Sequence, residues 1–236
     1  MQDRKQETNK HQYKCDLCQD TEFIYIAETN TCRECKCKQT NAYRHLYDKS
    51  GITRLFTTKT FESFKTEGKS REVHNAKRVA ENYTNKFSGV ESLAFLGESG
   101  AGKTHLCIAV SNELLKQNIG VLYMQYRDVL TKMKQHFVAT DGYGDSIYQK
   151  EIQKYKEAPV LYIDDLYKGK ISETDINIMF ELINHRYINM FPIIVSSEMS
   201  CERLLQVDKA IGGRILEMCR GNIVEFEGIS LNYRLI

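Results

Sequence analysis

A chain of 236 residues, 42% of them hydrophobic and 27% charged, holds enough material for one or two domains and falls in the ordinary globular class. Its formal charge of +2 excludes a strongly basic nucleic-acid coat protein while leaving room for a local basic groove. No apolar run of about 18 residues occurs, and Met1 to Lys10 is polar rather than a charged-then-apolar leader. The expectation is a cytoplasmic protein with no membrane partner.

In chain order the sequence divides into a polar, cysteine-rich head over residues 1–49, a linker over 50–60 and an α/β body over 61–236. Five of the eight cysteines crowd between Cys15 and Cys37, a density that points to metal rather than to disulfides. Cys15-x-x-Cys18 forms one knuckle, and Cys32, Cys35 and Cys37 offer the remaining thiols of a tetrahedral Zn²⁺ site. Two selections are open on spacing: Cys32 with Cys35, which repeats the knuckle, or Cys35 with Cys37. So short a head has little core of its own, which is a physical reason for metal to supply folding energy. Phe23, Tyr25 and Tyr43 suit contact with protein or with nucleic acid, and His11 and His45 are expected in solvated or packed roles.

The body opens on a helix pattern, with Val73, Ala76, Ala80, Tyr83 and Phe87 at alternating spacings of three and four. Ser92 to Leu96 then reads as a buried strand, and Thr104 to Lys116 as a helix with Leu106, Ala109, Val110 and Leu114 inward. Between them, Gly97-Glu98-Ser99-Gly100-Ala101-Gly102-Lys103-Thr104 matches every fixed position of the phosphate-cradling pattern G-x-x-x-x-G-K-[ST]. The glycines let the backbone aim its N–H groups at a β-phosphate, assisted by the helix dipole. Lys103 is expected to bridge the β- and γ-phosphates of ATP, and the Thr104 hydroxyl to sit on Mg²⁺. The expected contact set runs from Gly97 through His105 and is joined by Asp164.

Val121 to Tyr126, Val160 to Asp165, Ile193 to Ser197 and Asn222 to Phe226 complete a five-stranded parallel sheet with covered faces. After the second strand, the Arg127 to Phe137 helix has two readings. Lys132, Lys134 and Phe137 meet single-stranded DNA, or the lysines face water while Val129, Leu130, Met133 and Phe137 are buried. The glycine-bearing Asp141 to Gly144 follows. The strand Val160 to Asp165 ends in two acids: Asp164 is expected to hold the metal's water shell and Asp165 to polarise the attacking water. Ser172 and Asp175 are expected to cap a helix with the buried stripe Ile176, Met179, Phe180, Ile183 and Tyr187. Ser196 and Ser197 either sit beside the γ-phosphate or cap the helix after Ser200. Arg214 follows a flexible Gly212-Gly213 turn from which it reaches a neighbouring subunit's nucleotide, and Arg234 folds back onto its own γ-phosphate; a solvated surface role is the alternative for each. Cys107, Cys201 and Cys219 read as small buried hydrophobes.

Taken together, these residues resemble the DnaC/DnaI-type replicative helicase loaders, AAA+ ATPases related to DnaA and to the IstB transposition helpers. The resemblance covers essentially the whole chain. It rests on Phe61-Glu62-Ser63-Phe64, Gly97 to Thr104, Ile163-Asp164-Asp165-Leu166, Ile183-Asn184-His185-Arg186-Tyr187, Ser196-Ser197, Ile211-Gly212-Gly213-Arg214 and Asn232-Tyr233-Arg234. It implies an AAA+ core without the helical lid, given how few residues follow the last strand, and an ATPase that grips a DnaB-type hexameric helicase and single-stranded DNA as a homo-oligomer. By matching position Arg214 is the arginine finger and Arg234 the second sensor. Similarity to the zinc-bearing heads of DnaI-type and phage loaders selects Cys15, Cys18, Cys35 and Cys37, with Cys32 in reserve, and assigns the head to the helicase.

Two departures bear on turnover. Asp165 stands where many AAA+ proteins carry glutamate, and Glu198 stands where the loaders tend to carry an asparagine sensor, so that an acid there repels a γ-phosphate unless it is paired. The resemblance therefore leaves two other uses of the same site: a transposition helper ATPase of IstB type, and a non-hydrolysing adaptor that captures a helicase.

Overall fold

The computed structural model describes residues 13, 15–38, 41–42, 53–137 and 143–227. Arg234, His11, Tyr43, His45, Asp141-Gly142 and the first part of the linker lie outside the described residues, as does the side chain of Phe137. Among the described residues no helix is long and apolar enough to cross a membrane.

The head carries an antiparallel hairpin, β1 (Phe23–Ile26) and β2 (Thr31–Glu34), with Tyr25 opposite Cys32. A short helix α1 (Thr53–Thr58) leads to α2 (Arg71–Lys86). The body then runs β3 (Leu93–Gly97), α3 (Lys103–Lys116), β4 (Val121–Gln125), α4 (Tyr126–Phe137), α5 (Tyr143–Glu157) and β5 (Val160–Asp164). It finishes with α6 (Glu173–Ile188), β6 (Ile193–Ser196), α7 (Cys201–Val207), α8 (Lys209–Met218) and β7 (Ile223–Phe226). All five body strands are parallel in the order β4-β5-β6-β3-β7, as their continuous apolar runs imply.

Successive residues of a strand face opposite sides, and the two cores follow that alternation. Leu93 and Phe95 join Val121, Tyr162, Ile194 and Phe226 beneath α2 and α3, where Val73, Ala76, Ala80 and Leu106 meet them. Ala94 and Leu96 join Met124, Ile163 and Val195 on the other face, under α4 to α8. Both faces being covered, the sheet is held rigidly, and its carboxyl ends become the fixed edge on which the loops stand.

Four local expectations change. Tyr126 begins α4 rather than ending β4, and α5 is an additional helix whose Tyr148, Ile152 and Tyr155 enter the core. The capping box of Ser172 and Asp175 is present, but the buried stripe of α6 is Ile178, Met179, Leu182, Ile183 and Arg186, while Phe180 is 40% exposed. The rotation follows from Arg186, which is wholly buried and donates to the carbonyls of Tyr155, Lys156 and Pro192. Ser200 itself caps α7 through Arg203 N–H, which frees Ser196 and Ser197 for other partners. Finally, Gly212-Gly213 is no turn: both lie within α8, and a Cβ on Gly212 would sit 2.7 Å from the Leu204 carbonyl oxygen. Gly212 is there to let α8 approach α7.

That distinction is measurable by urea denaturation. Gly212→Ala is expected to destabilise the fold by about 1–3 kcal/mol through overpacking. Gly213→Ala, with nothing within 4 Å of its new Cβ, is expected to stabilise it by about 0.5–1 kcal/mol through helix propensity. Equal effects would restore the turn.

Candidate nucleotide site and metal centre

The phosphate loop leaves β3, which lies between β6 and β7, at Gly97. Its φ of 96° is left-handed, and a side chain there would overlap the Phe226 carbonyl oxygen of β7. Gly102 (φ 95°) is constrained in the same way, since a Cβ would lie 2.6 Å from the Phe64 ring. Gly102 also starts α3 with no side-chain cap, so the first-turn N–H groups are left for the loop's ligand. Lys103 is buried, and its Nζ donates to the carbonyl oxygens of Gly97 (2.7 Å) and Glu98 (2.6 Å). Burial pulls its pKa down, against the opposing charges of Glu198 and Asp165.

Ser99 to His105, Asp164, Asp165 and Glu198 line one cavity of about 640 Å³, together with Phe64 and Lys69. Gly97 and Glu98 do not face it; their carbonyls hold Lys103. The structure therefore brings the phosphate loop and both acids of β5 to one place, at the carboxyl end of the sheet.

Asp164 is the most heavily bonded group there. Its carboxylate, 7% exposed, accepts hydrogen bonds from Thr104 Oγ1 (3.1 Å), Tyr162 OH (2.7 Å), Tyr123 OH (3.0 Å) and Ser196 Oγ. Ser196 also accepts from the Asp165 N–H at 3.1 Å, and Ser197 Oγ donates to the Leu166 carbonyl at 2.7 Å. The two serines thus brace the acidic strand and cap no helix. Beyond Asp164 the chain turns left-handed at Asp165 (φ 55°), a conformation that aspartate tolerates.

Lys168, which no sequence motif marks, lies between the two remaining acids, 3.1 Å from Asp165 Oδ2 and 3.1 Å from Glu198 Oε1. Burial raises the Glu198 pKa, but hydrogen bonds from Ser99 and Lys168 and the nearby lysine charges outweigh it and hold the carboxyl below its ordinary value. Glu198 is therefore paired, which removes the repulsion expected of an acid at that position.

The His105 ring turns away from the loop. Its Nε2 lies 3.0 Å from the Thr60 carbonyl oxygen and 3.1 Å from Ser63 Oγ, and its plane stands edge-on to Phe64 at 5.0 Å. It pins the Phe61-Glu62-Ser63-Phe64 segment against α3. Arg214 is away from its own chain's cavity, with Nη1 on the Ala210 carbonyl at 3.0 Å and its guanidinium over Phe180 (5.2 Å) and Tyr187 (5.6 Å). Of the basic residues on α4, Lys134 is engaged by the buried Asp175 at 2.8 Å and Lys132 is exposed, while Leu130 and Met133 are buried. Leu130 and Met133 thus follow the amphipathic reading, while Val129 is half-buried and Lys134 is ion-paired rather than in water.

In the head, Cys15, Cys18, Cys35 and Cys37 are buried with all four Sγ atoms within 4.8 Å of one another. Cys15 and Cys35 are 3.7 Å apart and Cys18 and Cys37 3.3 Å, close to the edge of about 3.8 Å that a tetrahedron with Zn–S bonds of about 2.3 Å requires. The backbone shapes the pocket: Gln19 N–H donates to the Cys15 carbonyl, and Cys35 N–H to that of Glu22, both at 2.8 Å. Cys32 is exposed on β2 and takes no part. Four buried thiols at this spacing suit Zn²⁺.

A glycine-rich loop leaving an inner strand of this parallel sheet, a lysine at the head of the next helix and a hydroxyl-bonded aspartate ending β5 define an ATP-binding protein of the AAA+ class. The chain belongs to the family described as IstB-like ATP binding protein, whose model matches residues 25–234. It is 33% identical over 249 residues to the phage-like element PBSX protein XkdC of Bacillus subtilis (strain 168), covering 99% of this chain and 90% of that one. It is 26% identical to the replicative helicase loader DnaC of Escherichia coli (strain K12), over 74% of this chain and 68% of DnaC. A crystal structure of the DnaC helicase loader superposes with a TM-score of 0.60 at 18% identity, covering 73% of this chain and 98% of that one, a likeness of fold.

Two measurements check this geometry. Purified protein is expected to contain one zinc per chain by elemental analysis, retained in Cys32→Ser and lost in Cys37→Ser. Burial holds the His105 pKa below its ordinary 6.5, so the unfolded chain binds the proton more readily and stability rises with pH. His105 thus contributes stability that is present above pH 6.5 and lost as pH falls through its folded value. His105→Gln is expected to flatten the decline in unfolding free energy between about pH 7.5 and about pH 5, followed by chemical denaturation.

Proposed function

We propose that the protein is a cytoplasmic, ATP-hydrolysing loader that holds a DnaB-type replicative helicase and delivers it to single-stranded DNA. The observation that carries the nucleotide part is the Thr104–Asp164 hydrogen bond, which joins the phosphate loop to the acidic strand where a metal-bound triphosphate spans both. The relation to DnaC and the four-cysteine cluster support the loader part. In this reading residues 1–49 form the helicase-binding head, 50–60 the linker and 61–236 the ATPase domain.

The residues take distinct roles. The loop from Gly97 to Thr104 cradles the phosphates, and Lys103 exchanges its two backbone carbonyls for β- and γ-phosphate oxygens. Thr104 and Asp164 hold Mg²⁺, which when bound neutralises developing phosphate charge. Asp165 orients and polarises the attacking water. Arg214 of a neighbouring copy stabilises the transition-state charge, and Arg234 acts as second sensor in its own chain. Since Arg214 comes from a neighbouring copy, turnover depends on assembly as a homo-oligomer. The four-cysteine cluster supports this reading over a transposition helper of IstB type, a family whose model matches from residue 25 onward.

The engagement of Asp165 and Glu198 by Lys168 favours one alternative, an adaptor that keeps ATP as a structural ligand and captures the helicase without turnover. Steady-state ATP hydrolysis, with and without single-stranded DNA and a DnaB-type hexamer, separates the two. A loader is expected to be stimulated, to lose ATP affinity in Lys103→Ala, and in Arg214→Ala to lose on the order of 10³-fold of the stimulated rate with ATP affinity intact. Mixing the Lys103→Ala and Arg214→Ala chains is expected to recover part of the rate, because one supplies the finger and the other the site. Stable helicase binding without stimulation would establish the adaptor.

A further inference from the structure

At the phosphate-loop end of the cavity, three carboxylates stand around Lys103: Asp164, Asp165 and Glu198 all line the wall. A triphosphate entering there brings several more negative charges into the same space. Lys168 alters that balance. It comes from the turn after β5 and bridges Asp165 and Glu198 at 3.1 Å each. Its side chain is 44% exposed, and a pair of that exposure contributes little to stability. Architecture alone therefore gives this lysine little to do.

We infer that Lys168 is the group by which this protein distinguishes a triphosphate from a diphosphate, passing from Asp165 to the terminal phosphate while Glu198 keeps hold of it. The inference rests on the reading of the cavity as an ATP site. Lys168 lines an adjoining cavity that shares Glu198 with the phosphate cavity, and both acids it touches face the phosphate cavity. A phosphate oxygen is a charge-assisted acceptor at least as good as a half-exposed carboxylate, so the exchange has a driving force. The exchange has a second consequence, since it leaves the Asp165 carboxylate without its cation. Detection of the γ-phosphate and release of Asp165 to polarise water are then one event. Glu198 serves as the tether that keeps the ammonium within reach after Asp165 lets go, which accounts for an acid where a neutral sensor is expected.

The experiment compares equilibrium affinities for Mg²⁺–ADP and for a non-hydrolysable Mg²⁺–ATP analogue by calorimetry, in wild type, Lys168→Ala and Lys168→Arg. Lys168→Ala is expected to weaken the analogue by about tenfold or more, the scale of a lost hydrogen bond to a charged group, with ADP affinity within about twofold of wild type. Lys168→Arg, which keeps the charge, is expected to restore most of the preference. Analogue affinity unchanged in Lys168→Ala, or both nucleotides weakened equally, overturns the assignment while leaving the ATP site standing. A wild-type protein that binds neither nucleotide overturns the ATP-site reading itself, and this inference with it.

Discussion

One buried carboxylate organises this molecule. Four hydroxyl groups, from α3, β4, β5 and β6, converge on Asp164, so its position is fixed by nearly every element at the carboxyl edge of the sheet. Burying an ionised acid is costly unless its oxygens are hydrogen-bonded. Hydroxyls meet that demand without neutralising it, and among the described residues no side-chain cation pairs with Asp164. The result is a rigid, solvated-by-protein negative charge that attracts a cation at one defined point. The parallel register explains why it recurs at the same depth as the phosphate loop: Gln125 lies beside Asp164 across β4 and β5, and Phe95 beside Ser196 across β3 and β6.

The surrounding charges are graded from that centre outward. Lys103 is buried and donates to two loop carbonyls, which holds the loop in shape. Asp165 and Glu198 are further out and share Lys168. A compact network of this kind permits rearrangement, because Lys168 on giving up Asp165 retains Glu198. The deep Asp164 cannot move; the outer acids can change partners.

The sheet was legible because buried parallel strands are written as short apolar runs, and the phosphate loop because its glycines have no substitute at positions crowded by Phe226 and Phe64. Helix α2 was legible for the opposite reason, a single apolar stripe on a polar helix. Helix α6 was not. It is apolar around much of its circumference, and its inward face is chosen by Arg186, whose three carbonyl partners come from residues about thirty positions back and from Pro192. The glycine pair of α8 misleads because small residues mark close packing as readily as turns. Helix α5 did carry a signal, Tyr148, Ile152 and Tyr155 at spacings of four and three, obscured by the glycines before it. The choice of Cys37 over Cys32 depends on strand parity in the hairpin, which places Cys32 beside the exposed Tyr25. Lys168 and the inward lean of His105 are long-range facts, readable only once the fold has brought distant loops together.

Arg214 shows how the proposed division of labour between copies is compatible with a stable single chain. An arginine destined for another subunit's site has to remain ordered and charged while unoccupied. Flat contact with Phe180 and Tyr187 supplies a holding surface through cation–π attraction, at exposed sites about 0.5–1 kcal/mol per contact, which a phosphate partner exceeds readily. Its one hydrogen bond, from Nη1 to the Ala210 carbonyl, leaves Nη2 uncommitted, while Nε is buried with no partner among the described residues. The same side of α6 leaves Phe180 exposed, so the aromatic bed and the arginine present one continuous face. In the proposed oligomer that face meets the neighbour's cavity, and completing the site covers the apolar surface that a lone chain leaves open.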